Sequence, residues 1–253
     1  MNGVVAQGRR AAGEFQERLG AVQVRIEQAA RRAGRDPGAV TLVAASKTVS
    51  VERLVEAITC GLRIFGENRV QEALAKMEAM KEEDRVQFHL IGPLQSNKVT
   101  HAVGRFALLH AVDRRDVAEH LDRAARARGI VQCVLLEVNV SGETTKHGFS
   151  PDDLASTAER MGACAGLRVL GLMTIPPFAD NPEDARPHFR RLRELAAQVE
   201  ALGIPGVSMT ELSMGMSGDF DVAIEEGATM VRVGRALFGP RWGESGADLK
   251  SVP

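Results

Sequence analysis

Hydrophobic and polar positions along this 253-residue chain alternate between two periods. Short apolar runs occupy residues 41–45, 62–65, 87–91, 107–111, 133–138, 168–173, 206–211 and 230–233. Runs of that length, bounded by turn residues, predict buried strands. Between them the apolar residues recur every three or four positions, which predicts amphipathic helices. One stripe is Val51, Leu54, Val55 and Ile58; another is Val70, Leu74 and Met77. Val117 and Leu121 lead a third, and Phe189, Leu192, Leu195, Val199 and Leu202 form a longer one, with Pro187 suited to its first turn. Asp219 and Asp221 load the start of a further helix that Gly227 closes. Ahead of the first strand, Phe15, Leu19, Val22 and Ile26 predict an extra helix over about residues 10–34, stopped by Gly34 and Asp36-Pro37.

Eight strands alternating with helices predict an all-parallel α/β fold, and eight is the number that closes a (β/α)8 barrel of TIM type. A doubly wound open sheet shares the alternation. However, no GxGxxG turn follows the first strand, so the dinucleotide-binding version lacks its fingerprint. No linker or low-complexity tract interrupts the pattern, so residues 1–253 are expected to form one domain, with a tail from about 240 to 253.

Composition narrows the function classes. A net charge of −1 argues against a protein that works by massed neutralisation of nucleic-acid phosphates. No apolar run reaches transmembrane length, and the N-terminus lacks a secretory apolar core. Cys60, Cys133 and Cys164 are widely separated and form no CxxC pair, which suits a reducing cytoplasm and suggests neither zinc nor disulfides. The chain contains no tyrosine, removing the phenol from the candidate acids and bases.

Candidate chemistry clusters where strands end, the face on which barrels place their sites. Lys47 lies just past the first strand, and an amine there can act as a Schiff-base nucleophile. On its own it fits a solvated surface lysine on a loop better. The last strand ends in Val231-Arg-Val-Gly234 followed by Arg235, and the one before it in Glu211-Leu-Ser-Met-Gly-Met-Ser217. Glycines and hydroxyls in the loops after strands seven and eight are where barrels commonly hold phosphate. Ser217 would also serve as an ordinary helix cap. Taken together, a lysine on strand one beside a phosphate cup on strands seven and eight describes a pyridoxal 5′-phosphate site. Arg232 falls inside an apolar strand, where an unpartnered cation is costly, and shares a side with Gly234. It suits either a structural ion pair or a partner for the pyridine nitrogen. Asn68, His89 and Lys146 stand at other strand ends, with a helix cap, a core histidine and a solvated lysine as their ordinary alternatives. An aldolase-like barrel using Lys47 on a phosphorylated sugar remains open at this level.

The ordered motifs Val43-Ala-Ala-Ser-Lys47, Phe65-Gly-Glu-Asn68 with Val70-Gln-Glu72, His89-Leu-Ile-Gly-Pro-Leu-Gln-Ser-Asn-Lys98, Val138-Asn-Val-Ser-Gly-Glu143, Gly171-Leu-Met-Thr-Ile175, Leu212-Ser-Met-Gly-Met-Ser217 and Val231-Arg-Val-Gly234 carry a resemblance. In that order they resemble the YggS/PROSC family, the pyridoxal phosphate homeostasis proteins. The resemblance implies a barrel similar to the N-terminal domain of alanine racemase, binding pyridoxal 5′-phosphate as an aldimine on Lys47. It implies Ser213, Ser217 and the Gly234–Arg235 backbone at the phosphate, Arg232 at the pyridine nitrogen, and Met173 and Asn68 lining the cofactor. Lys146 would match a lysine engaged in cofactor transfer. The implied role is intracellular cofactor homeostasis with little or no catalysis, by a monomer acting on amine ligands and on acceptor apoenzymes. A pyridoxal phosphate-dependent racemase is the alternative. Two positions depart from the family pattern: Arg69 replaces an aromatic residue, and Arg235 a small hydroxyl residue.

Overall fold

The computed structural model describes residues 2–240 apart from 84, 144 and 145, with side chains from residue 13 onward. Eight parallel strands close into a barrel in sequence order. They are β1 (Thr41–Ala45), β2 (Ile64–Glu67), β3 (Gln87–Leu90), β4 (Leu108–Val112), β5 (Gln132–Glu137), β6 (Leu167–Met173), β7 (Val207–Ser213) and β8 (Met230–Val233). Pairing of Val43 with Arg232 closes the ring between β1 and β8. The helices lying between strands are α2 (Val51–Thr59), α3 (Val70–Ala79), α4 (Val99–Ala102), α5 (Arg115–Ala127), α6 (Leu154–Gly162), α7 (Arg186–Glu200) and α8 (Phe220–Glu225). They are preceded by α1 (Asn2–Arg32) and followed by α9 (Arg235–Phe238).

The apolar runs become strands for a simple reason: both faces of a barrel strand are covered. Two hydrophobic layers result. Inside the barrel, Val43, Leu108, Leu135, Met173 and Met230 pack together. Outside, Ala44, Phe65, Leu109, Leu136 and Leu172 meet the buried stripes of the helices, such as Leu54 and Ala57, or Phe189 and Leu192. Successive residues serve opposite layers, as the pleat requires, except on β4 and β6, where register shifts leave Leu108 and Ala111 both inside and Val169 and Leu172 both outside.

Two strands differ from expectation by two residues, β2 and β7, and the other boundaries by at most one. Leu62 belongs to the turn after α2, where its N–H bonds Ala57 O past the left-handed Gly61, so β2 begins at Ile64 and runs on through Glu67. Strand β7 continues two residues further, to Ser213. The N-terminal helix also starts earlier than position 10, at Asn2, and ends at Arg32. It buries Phe15, Leu19, Val22 and Ile26 against α8 and α9. There the Phe15 ring lies 5.5 Å from that of Phe238, and the Arg25 guanidinium covers Phe220. The expected tail lies outside the described residues. Among the described residues, no helix is long and apolar enough to cross a membrane.

Gly171 shows how closely the backbone is packed between β6 and β7. A Cβ there would lie 1.8 Å from Glu211 O, so only glycine fits at this irregularity in the β6–β7 register.

Candidate functional site at the mouth of the barrel

The C-terminal ends of β1, β5, β6, β7 and β8 converge on a polar layer that caps the apolar barrel interior. Lys47 follows β1 and is half-buried. Counting by twos from Val43 and Ala45, which pack in the interior cluster, its position has the parity of the barrel interior.

Both neighbours of Lys47 are held from behind. Ser46 donates from Oγ to Glu67 Oε1 at 2.6 Å, and its carbonyl accepts from Lys76 Nζ at 2.8 Å. Lys76 Nζ also lies 2.7 Å from Glu67 Oε1 and 2.8 Å from Glu72 Oε1. Glu72 Oε1 in turn accepts the Thr48 N–H at 2.8 Å. Thr48 has φ of 64°, a left-handed conformation uncommon for a β-branched residue, which persists only where surrounding contacts impose it. Here the contact is the Glu72 carboxylate. Glu67 is fully buried, and burial pushes its carboxyl above the ordinary range while the bonds from Lys76 and Ser46 pull it back. This network sits between the barrel and α3, and it fixes the turn that carries Lys47.

Arg232 lies inside the barrel at 4% exposure. Its Nη1 donates to Ser213 Oγ at 2.7 Å and its Nη2 to Thr174 O at 2.9 Å. Burial lowers its pKa to about 10, against the opposing pull of Glu137 and Asp219. Glu137, at the end of β5, is pushed up to about 7, chiefly by burial and then by Asp113, with Arg232 and His147 opposing. Met173, paired with both Glu137 and Ser213, is fully buried and forms part of the interior wall.

The loops after β7 and β8 meet at the start of α9, where Ala236 N donates to Ser217 Oγ at 3.3 Å. Leu237 N and Phe238 N donate back to Gly234 O at 3.0 and 2.9 Å, whereas the amides before them have no carbonyl within the helix to reach. Gly234 passes so close to β1 that a Cβ would lie 3.1 Å from Ala45 O, two residues before Lys47. Arg235 is exposed. The glycine loop and the lysine turn are therefore adjacent.

The two serines expected at the phosphate are separated by this geometry. Ser217 is in the loop beside α9, whereas Ser213 is a fully buried strand residue whose hydroxyl is engaged by Arg232 and, at 2.8 Å, by His110 Nδ1. The difference follows from β7 running on to Ser213. Asn68 is half-buried at the end of β2 and is not the helix cap, a position taken by Arg69. Its backbone packs against Gly92, where a Cβ would lie 2.7 Å from Asn68 O. Lys146 is half-buried with Nζ 3.3 Å from Glu143 Oε1.

Sequence reasoning missed His110, Glu137 and Thr174, along with the Glu67–Lys76–Glu72 network. For His110 and Glu137 a signal existed: each is a polar residue within a strand otherwise apolar toward its C-terminal end. His89 is 4% exposed and bonded to His110. Among the described residues, no group of histidine, cysteine and acidic side chains could hold a metal ion.

Comparison with known proteins places this geometry. Residues 18–241 match the alanine racemase N-terminal domain family. The pyridoxal phosphate homeostasis protein of Aquifex aeolicus is 50% identical over 89% of this chain and 97% of its own length. That of Pseudomonas aeruginosa is 44% identical over 89% of this chain and 95% of its own. PipY of Synechococcus elongatus PCC7942, solved with PLP bound, is 35% identical with a TM-score of 0.78, covering 89% of this chain and all of PipY. The chain belongs to the family of pyridoxal phosphate homeostasis proteins, built on the alanine racemase N-terminal domain fold.

Proposed function

We propose that this chain binds pyridoxal 5′-phosphate at the C-terminal mouth of the barrel through Lys47 and keeps the reactive aldehyde low, with little or no turnover. The observation that carries the reading is the adjacency of Lys47 to the Gly234 loop, with the buried Arg232 inside the barrel on the strand paired with β1. A phosphorylated, aldehyde-bearing aromatic ligand needs an amine, an anion cup and a partner for its ring nitrogen, and these residue types fit.

When bound, the cofactor supplies an aldehyde carbon that condenses reversibly with amines. The chain supplies the rest. Lys47 offers the amine, held by a turn that the Glu67–Lys76–Glu72 network fixes. Ser217 and the Gly234–Arg235 amides take the phosphate at the start of α9. Ser213 is better assigned to Arg232 than to the phosphate, because both of its contacts lie within the barrel. Arg232 would present a cation to the pyridine nitrogen, which would keep that nitrogen unprotonated and make the ring a poor electron sink. Asn68 and Met173 line the ring. An incoming amine would compete with Lys47 for the cofactor's aldehyde carbon, and acceptor apoenzymes would be the recipients. Lys146, on the loop after β5, would assist that exchange. The chain is read as acting as a cytoplasmic monomer.

The weak electron sink predicts binding without racemisation. Purified protein supplied with pyridoxal 5′-phosphate and L-alanine is expected to retain the cofactor and accumulate no D-alanine above the free-cofactor control. Steady D-alanine formation that disappears in Lys47→Ala would instead establish a racemase.

A further inference from the structure

Four polar side chains form a continuous hydrogen-bonded run across the barrel interior. His89 on β3, His110 on β4, Ser213 on β7 and Arg232 on β8 are each at most 4% exposed. The contacts are 3.0 Å between His89 Nδ1 and His110 Nε2, 2.8 Å between His110 Nδ1 and Ser213 Oγ, and 2.7 Å from Arg232 Nη1 to Ser213 Oγ.

Donor and acceptor chemistry gives this run a direction. A guanidinium only donates, so Ser213 Oγ accepts from Arg232. The serine then places its own proton on His110 Nδ1, which accepts when the ring is neutral with its proton on Nε2. That N–H points to His89 Nδ1, leaving His89 protonated on Nε2. Burial favours the neutral rings: it lowers His89 to about 4 and His110 well below its ordinary value, with His89 and Arg232 adding to the effect on His110. The hydroxyl of Ser213 thereby has one orientation, with its lone pairs turned to the guanidinium. Thr174 O holds the other end of the same group. Glu137 and Asp219 are the acidic groups whose charges act on Arg232.

We propose that His110 is a positioning residue that acts through Ser213 to fix the plane of the Arg232 guanidinium facing the ligand, with His89 holding the His110 tautomer. The inference rests on the cofactor reading above. A histidine that merely filled the core would alter folding stability, whereas a positioning residue alters ligand affinity in a way that depends on Ser213.

The test is a thermodynamic cycle on folded proteins, reading the dissociation constant for pyridoxal 5′-phosphate by absorbance titration. His110→Phe leaves the serine proton without an acceptor and is expected to weaken binding about tenfold, the scale of one hydrogen bond at a charged group. Ser213→Ala should weaken it similarly, and the double variant should be no weaker than Ser213→Ala alone. His110→Asn, whose amide takes the place of Nδ1, should bind within about twofold of the parent. His110→Gln puts its amide at the Nε2 place instead, and carries the test should the phenylalanine variant not fold. Parent-like affinity in the disrupting variants, or losses that multiply with Ser213→Ala, would overturn the inference alone. Absence of binding by the parent protein would overturn the cofactor reading with it.

Discussion

Replacing Lys76 with methionine is expected to lower folding stability by about 3–5 kcal/mol, the cost of leaving one partner of a buried ion pair alone. The ammonium is nearly buried and serves Glu67, Glu72 and the Ser46 carbonyl at 2.7–2.8 Å. Glu67 is fully buried and would keep only the Ser46 hydroxyl among these contacts, while its Oε2 already lacks a partner. Burial already raises the Glu67 pKa, and removing Lys76 removes the chief opposing contact. A carboxyl with a raised folded pKa favours folding in its protonated form, so the variant loses stability as pH rises through that pKa. Denaturant melts of the cofactor-free protein at about pH 5 and about pH 8 should show the larger loss at the higher pH. Glu67→Gln combined with Lys76→Met removes both charges and should recover most of the loss. A single variant within about 1 kcal/mol of the parent at both pH values would show that the network is dispensable.

Glu137→Gln is expected to act in the opposite direction, stabilising the cofactor-free protein at alkaline pH. The parent carboxyl titrates near 7 in the folded state, from an ordinary value of 4.5. Between those values the folded chain binds the extra proton, so stability falls as pH rises through the window and the full penalty applies above about 7. The shift bounds the effect at about 3 kcal/mol, at 1.36 kcal/mol per unit. Loss of the carboxylate also removes an attraction to Arg232, which reduces the gain. Thermal melts should therefore find variant and parent similar near pH 4.5 and the variant more stable near pH 8. A variant less stable at both pH values would mean that the charge supports Arg232 more than its burial costs.

Much of the fold was legible because a closed barrel covers its strands on both faces. Each strand therefore appears as an apolar run, and all eight lie where such runs occur. The boundaries that shifted are instructive. Glu67 extends β2 by pairing with Leu90 of β3, and its buried carboxylate is met by Lys76 from α3, a tertiary pairing that no local pattern announces. In the site, Lys47, Gly234 and Arg232 were legible through their positions at strand ends and through the neighbouring of the first and last strands in a ring. The partners of Arg232 were not. Ser213 read as a loop serine because β7 was expected to stop two residues earlier, and His110 was concealed inside an apolar run. Polar residues on the inward face of a barrel strand acquire meaning only from the strand across the barrel.

Reductive trapping tests covalent attachment of the cofactor at Lys47. Protein incubated with pyridoxal 5′-phosphate is reduced with borohydride, digested, and mapped by peptide mass. One predominant label is expected, on the peptide containing Lys47, with its loss in Lys47→Ala and the fold preserved, as attachment at that residue requires. Predominant label on any other lysine, Lys76 and Lys146 included, or equal labelling of Lys47→Ala, would contradict it.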